Sequence, residues 1–480
     1  MNLLIVLLAL GLLIFLAYRG FSVILFAPLC ALLAVCLTNP EQVLPFFSNV
    51  FMVKMVGFIK QYFPVFLLGA IFGKIVEVTG IAEKIAKVIV RFIGAKRAIL
   101  SIVLMGAILT YSGVSLFVAV FAIYPFAAQL FREANIPKRL IPATIAFSAF
   151  TFSMDSLPGS PQIQNVIPTT FFKTTIYAAP TLGMIGALFI FTVGMLYLER
   201  CRKKAAARGE GYYRNSSEAE AEMAATVSVE QLPQTRAAAR EAITIEHWIA
   251  FLPLILVGVM NKVFTLFIPV WYAKGFDFAE IGLKDLGKID MSQVLGIWSV
   301  ELALLFGILS AVILNFQAVR EHFQTITNVG VSGSILAAMN TAAEYGFGAV
   351  IAALPGFVMI QQYLTGTFSN PIISGAVMTN ILCGLTGSGS GGMSITLGLM
   401  AEKYIESAAH FHIPLDVLHR VIAMAAGGMD TLPHNGAVIT LLAVTGLTHR
   451  EAYKEIFGIT IIKTLAVFVV IGCYTLFSIV

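Results

Sequence analysis

Two stretches decide the reading of this chain: FSMDSLPGSP, Phe152 to Pro161, and GGMDTLPHNG, Gly427 to Gly436. Each places Met-Asp-Ser/Thr-Leu-Pro inside strongly apolar surroundings. Such a motif is costly in hydrocarbon. An Asp at the centre of a spanning helix costs about 3 kcal/mol on insertion scales, and proline removes a helix hydrogen bond. Writing it twice asks for a physical reason.

The surroundings set the class. Of 480 residues, 58% are hydrophobic and 12% are charged, against about a quarter charged in soluble domains. Mean hydropathy is +0.88. This predicts an all-α polytopic membrane protein. The 40 Gly and 37 Phe suit closely packed membrane helices. The net charge of +5 sits in short clusters between apolar runs, so it points to membrane orientation and not to nucleic acid. Cys30, Cys36, Cys201, Cys383 and Cys473 have no metal or redox spacing and read as packing residues. The start, MNLLIVLLALGLLIFLAYRG, lacks a basic n-region and an A-x-A cleavage site, so it reads as a retained first helix.

Spans long enough to cross a bilayer are expected at 2–17, 21–38, 61–80, 137–172, 176–198, 248–270, 294–318, 324–344, 414–446 and 456–479. The stretches 98–131 and 371–404 are apolar but carry small polar residues at their centres. Residues 199–246 are charged, Ala-rich and poor in aromatics, and read as a solvent-exposed linker between halves. Three basic groups should be cytoplasmic: Lys84 to Arg97, Arg132 to Arg139, and Arg200 to Lys204. If the first two share a side, 98–131 must enter and return as a re-entrant hairpin with its tip near TYSGVS. The N-terminus then falls outside and the linker inside.

The two halves also match elsewhere. TYSGVSLF at Thr110 parallels TGSGSGGM at Thr386, and GAIFGKIVEVTGIAEKI at Gly69 parallels GSILAAMNTAAEYGFGAVI at Gly333. NIPKRLIPATIAFSAFTFSMDSLP parallels HIPLDVLHRVIAMAAGGMDTLP. With about five full crossings in each half, the second half starts from the opposite side. The expected organisation is therefore two inverted repeats. Residues 1–198 form the first, with a hairpin at 98–131 and a broken helix at 137–172. Residues 247–480 form the second, with a hairpin at 371–404 and a broken helix at 414–446. Broken helices in inverted repeats place a transport site near the midplane, and irregular backbone at that depth is tolerated only where protein or a water-filled cavity satisfies it.

The tips supply hydroxyls and backbone N–H groups. A helix starting there is a natural seat for an anion. The expected substrate-binding residues are Ser112, Gly113, Ser115, Ser388, Gly389, Ser390 and Gly391 at the tips. Ser160, Gln162, Asn165, Thr431, His434 and Asn435 follow at the breaks. The bland reading of the tips is Gly/Ser packing where helices cross. Asp155 and Asp430 are the expected ion-coupling residues, binding Na⁺ with unwound carbonyls or carrying a proton. An N-cap role for them is equally open. His434 could donate to a carboxylate or move a proton, or be structural. Thr169 could face the same cavity. No Lys or Arg is expected at the midplane, which argues for a small monocarboxylate over a highly charged substrate.

At these residues a resemblance becomes specific. MDSLPGSPQIQN, GSGSGGM and MDTLPHNGAVITLLAVTGLTHREAYKE resemble the gluconate:proton symporter family of the ion transporter superfamily, over nearly all of the chain except the linker. The resemblance implies proton-coupled import of small hydroxy-carboxylates such as gluconate or 3-hydroxybutyrate, with Na⁺ used by some superfamily relatives. It also implies a bacterial inner-membrane homodimer of scaffold domains carrying elevator-type transport domains. The hairpin and broken-helix positions carry over to Ser112, Gly113, Asp155, Ser388, Gly389 and Asp430. SMDSLPGSPQ lacks the His and paired prolines that sugar-acid members carry after the first break, which points to the smaller acid. The alternative on this architecture is a Na⁺/proton antiporter without organic substrate. No nucleophile–base pair, metal cluster or phosphate-binding loop argues for an enzyme or an ATP-driven pump, and no cofactor is expected beyond the coupling ion.

Overall fold

The structure, a computed structural model, describes residues 2–19, 21–93, 97–114, 116–213, 244–273, 275–357, 359, 370–433 and 435–480. It is helical almost throughout. The first half runs through α1 (Asn2–Tyr18), α2 (Val23–Thr38), α3 (Met52–Val78), α4 (Ile81–Ile93), α5 (Ala98–Tyr111), α6 (Leu116–Glu133), α7 (Ile141–Ala149), α8 (Ile163–Phe172) and α9 (Pro180–Ala207). The second runs through α10 (Leu252–Trp271), α11 (Met291–Leu314), α12 (Phe323–Ala353), α13 (Pro371–Thr386), α14 (Gly389–His410), α15 (Leu415–Gly428), α16 (Gly436–Thr445) and α17 (His449–Phe477). A two-residue β-ladder, Phe276↔Ile289 and Asp277↔Lys288, ties the loop between α10 and α11.

Six helical segments among the described residues are long and apolar enough to cross a membrane: Pro40–Val78, Pro180–Ala207, Ile245–Trp271, Val294–Leu314, Phe323–Ala353 and His449–Phe477. Their outward faces are apolar. On α2, Leu25, Leu29, Leu33 and Leu37 are exposed along one stripe, while Ala27, Cys30, Ala31 and Ala34 are buried on the other side. Leu305, Leu309 and Ile313 make a similar stripe on α11. Such faces suit lipid, and small residues facing inward let backbones approach.

One boundary departs from expectation. Helix α9 does not stop at the charged linker but continues to Ala207. Arg202 pairs with Glu199 one turn earlier, and Ala205 is buried. Charge on a helix surface does not end a helix when i,i+3 pairs support it. Beyond it, Glu210 pairs with Arg139, and Arg139 also pairs with Glu455 of α17. The linker's centre, 214–243, lies outside the described residues.

Local chemistry explains the interruptions. The turn between α13 and α14 reads Thr-Gly-Ser. Gly387 ends α13 in the left-handed conformation at φ 71°, and Ser388 caps α14 by accepting from Gly391 N–H. The first break holds a single helical turn, Phe152–Asp155, and then Pro158 and Pro161, which cannot donate to a helix ladder. Between them Gly159 has φ +87°, and a Cβ there would meet the Tyr177 ring at 2.7 Å. The second break passes through a 3₁₀ turn, Met429–Thr431, and an extended Leu432 ahead of Pro433. Asn435 then caps α16 by accepting from Ala437 N–H.

Packing brings the two halves together at these interruptions. Helix α3 packs along α12, and α9 along α17. Past the first break, α8 lies against α15 and α14; past the second, α16 lies against α6 and α7.

Candidate functional site

The second tip and the second break meet directly. The Asp430 carboxylate accepts from Gly389 N–H at the start of α14 (3.0 Å), and from Gln164 Nε2 of α8 (3.0 Å). Asn435 Nδ2 donates to it at 3.3 Å. A Cβ at position 389 would lie 2.6 Å from either Asp430 oxygen, so glycine there is what admits the carboxylate. The expected anion seat at this tip thus holds the protein's own carboxylate. Ser388 Oγ and Ser390 Oγ lie 3.4 Å apart beside it.

A third acid, missed in the sequence, faces the same tip. Glu344 of α12 is buried, with Ser388 as a side-chain partner. Its Oε2 has no hydrogen-bond partner and lies against Gly391, where a side chain would collide with it. The signal was available: Glu344 is an acid in an apolar span, in the stretch MNTAAEYGF.

The first tip is arranged differently. Ser112 Oγ donates to Ile108 O (2.6 Å) and Leu109 O (3.0 Å) of its own helix. The N–H groups of Ser112, Gly113 and Val114 also bond back to α5. Gln162 Nε2 bridges Thr110 O and Val114 O and so braces the turn. Gly113, at φ +95°, packs against Pro161. Ser115 and His434 lie outside the described residues. Two hydroxyls here, Thr110 Oγ1 and Ser160 Oγ, are buried without a partner.

Two basic residues not singled out in the sequence stand beside the first break. Arg420 of α15 and Lys463 of α17 are both fully buried. Lys463 Nζ pairs with Asp155 Oδ2, while Asp155 Oδ1 accepts from Ser156 Oγ (2.7 Å). Arg420 donates to Ala178 O (2.7 Å), Asp155 O (2.6 Å), Ile176 O (3.3 Å) and Asn165 Oδ1 (2.9 Å). Asp155 O lies at the first break, and Ile176 O and Ala178 O lie in the connection between α8 and α9, outside regular helix; a five-donor guanidinium satisfies several such carbonyls at once. The physical reason for two buried bases is thus local: one neutralises Asp155, the other replaces lost backbone hydrogen bonds. Both stand inside apolar runs, RVIAMAAGG and GITIIKTLAVF, where a charge is a signal in itself.

Asn165 is fully engaged in that network. Its Nδ2 donates to Ser160 O and Ile176 O, and its Oδ1 accepts from Arg420 and meets His419 Nε2 at 3.2 Å. His419 Nδ1 meets Thr174 Oγ1 at 2.7 Å. Thr431 Oγ1 pairs with Thr460 Oγ1 of α17 (2.7 Å). Thr169 packs on Gly296 of α11. These side chains hold the breaks in shape. Asp430, Gly389, Gly391, Ser388, Ser390, Gln164 and Glu344 cluster at the second tip. Among the described residues no three or more His, Cys, Asp or Glu side chains gather as a metal site would require.

No family model matches the chain. A Bacillus subtilis (strain 168) protein described as an uncharacterized transporter, YxjC, is 61% identical over 476 residues, covering 99% of each chain. A buried charged network between broken helices, in a chain with six candidate spans, suits a polytopic transporter in a lipid bilayer. The protein belongs to the transporter family of that Bacillus relative.

Proposed function

We propose that the protein is a secondary active transporter importing a small hydroxy-carboxylate, such as 3-hydroxybutyrate or gluconate, coupled to a cation, in the manner of the gluconate:proton symporter family it resembles. One observation carries this reading: a carboxylate, that of Asp430, already occupies the start of α14. A helix N-terminus that seats one carboxylate at membrane depth has the chemistry to seat another. Substrate would compete with or displace Asp430 at Gly389, Ser388, Ser390 and Gly391. Ser112, Gly113, Ser115, Ser160, Gln162, His434 and Asn435 complete the proposed site, with Asn165 and Thr431 as its frame. Asp155 and Asp430 are the proposed ion-coupling acids.

The architecture proposed is two inverted repeats, 1–198 and 247–480, with hairpins at 98–131 and 371–404. The parallel order of helices, breaks and caps supports it, as does the packing of α3 on α12 and α9 on α17. A homodimeric scaffold with an elevator-type transport domain belongs to the same reading. So does placement in a bacterial inner membrane, with the N-terminus outside and 199–246 in the cytoplasm. A Na⁺/proton antiporter is the second reading, favoured by the number of buried acids around the breaks.

The test is uptake of radiolabelled 3-hydroxybutyrate into proteoliposomes under an inward proton gradient, with and without Na⁺, with gluconate, lactate and citrate as competitors. Proton-driven accumulation blocked by one small hydroxy acid is expected. Ion-driven proton movement with no carboxylate accumulation overturns the symporter in favour of the antiporter.

A further inference from the structure

The buried charges around the breaks do not balance. Asp155, Asp430 and Glu344 are buried acids, and Arg420 and Lys463 are buried bases. The other buried carboxylate among the described residues, Glu455, is paired with Arg139. Lys463 is taken by Asp155, and Arg420 points its donors at carbonyls and Asn165. The Lys463 charge bears on Asp430 through space, but among the described residues no basic side chain bonds either of the two carboxyl groups at the second tip. Two adjacent carboxylates in a dry site do not both ionise cheaply, and one holds a cation.

The hydrogen bonds decide which one. Asp430 receives donors from Gly389 N–H, Gln164 and Asn435, an arrangement that favours a carboxylate. Glu344 Oε2 receives none. Of the charged groups on elements packed against α12, Lys54 and Lys60 of α3 and Glu402, Lys403 and Glu406 of α14 are exposed, and Lys74 pairs with Glu77. Facing Glu344 are Ser388, Gly391 and Asp430; Tyr62 bonds Thr170. The site's chemistry also selects the cation. Na⁺ needs several oxygen ligands, whereas the start of α14 presents N–H donors, and its positive dipole end repels a metal ion. A proton needs only the one orphaned oxygen.

We propose that Glu344 carries the coupling proton, in register with Asp430 and the Ser388–Gly391 tip. Protonation leaves a single negative charge, that of Asp430, at the tip, so an incoming carboxylate meets less repulsion. Deprotonation restores the second charge and drives the carboxylate out. This assignment rests on the symport reading, but its test does not need transport.

The test is infrared difference spectroscopy of the purified protein in lipid nanodiscs during a pH titration without substrate. Wild type is expected to show one buried protonated-carboxyl C=O band that disappears as pH rises. Glu344→Gln is expected to lose that band, and Glu344→Asp to keep it at a shifted midpoint, which shows that the site still folds. In Asp430→Asn the band should disappear at lower pH, because the neighbouring negative charge that opposes ionisation of Glu344 is gone; a Glu344 band unmoved by that change overturns the pairing. A wild-type band that survives Glu344→Gln unchanged overturns the assignment, whatever uptake shows. So does a wild type with no band whose thermal midpoint rises with Na⁺ and stops doing so in Glu344→Gln. If the band behaves as expected but no carboxylate is accumulated under a proton gradient, the symport reading fails and the proton site stands.

Discussion

Lys463→Met should uncouple the last long helix from the first break. Lys463 lies on α17 and Asp155 at the first break, 308 positions earlier in the chain, and both side chains have 0% exposure. Without Lys463, the Asp155 side chain keeps only the Ser156 hydroxyl at 2.7 Å. Removing one partner of a buried ion pair costs about 3–5 kcal/mol. Hydrogen bonds within membrane proteins average only about 0.6 kcal/mol, because the unfolded chain in the membrane finds other partners. The larger figure should govern here, since what is left behind is a charge and not a neutral dipole. At about 1.4 kcal/mol per tenfold, a loss of about 3 kcal/mol lowers the folded-to-unfolded ratio roughly a hundredfold.

The assay is equilibrium unfolding in mixed micelles by SDS titration, followed by circular dichroism. Lys463→Met should shift the midpoint strongly. Adding Asp155→Asn should recover much of the loss, because the stranded charge is gone, giving a coupling of about 2 kcal/mol. A Lys463→Met protein as stable as wild type would refute the reasoning. A double variant as unstable as the sum of the singles would do the same.

Three further outcomes are expected. Asp430→Asn should impair coupled uptake while the protein still inserts, read by proteoliposome accumulation alongside membrane yield; unchanged concentrative uptake removes Asp430 from coupling. Ser390→Ala should raise the apparent KM, and an unaltered KM moves the site away from the second tip. Gly389→Ala places a methyl 2.6 Å from both Asp430 oxygens, so it should abolish uptake in a protein of normal size-exclusion profile; near-normal uptake would mean that Asp430 does not need that seat.

Much of this was legible locally. Pro158 and Pro433 mark the breaks because proline cannot donate, and Gly387-Ser388 marks a tip because one residue ends a helix and the next begins one. What misled was treating the apolar runs as uniform. Lys463 and Glu344 each stand as the single charge of a helix interior, Arg420 opens an apolar run behind His419, and windowed hydropathy averages such charges away. The linker boundary moves for a related reason: a charged stretch reads as a solvent-exposed linker, yet Glu199 and Arg202 support the helix that carries them to Ala207.

The sequence by itself determined the membrane class and the two interruptions, since composition, proline and glycine act within a few residues; that Ser388 and Asn435, and not the Asp pair, cap the helices was decided by the structure. Only the tertiary structure decided which charges meet. A buried charge announces in one dimension that it needs a partner, but its partner is set by helix packing. Asp155 finds Lys463 because α15, with Gly427 leaving room beside the pair, packs on both α17 and the first break. Glu344 finds the second tip because α12 packs on α14. Contacts between residues so far apart in the chain follow from how helices bury their faces, and no local rule of spacing encodes them.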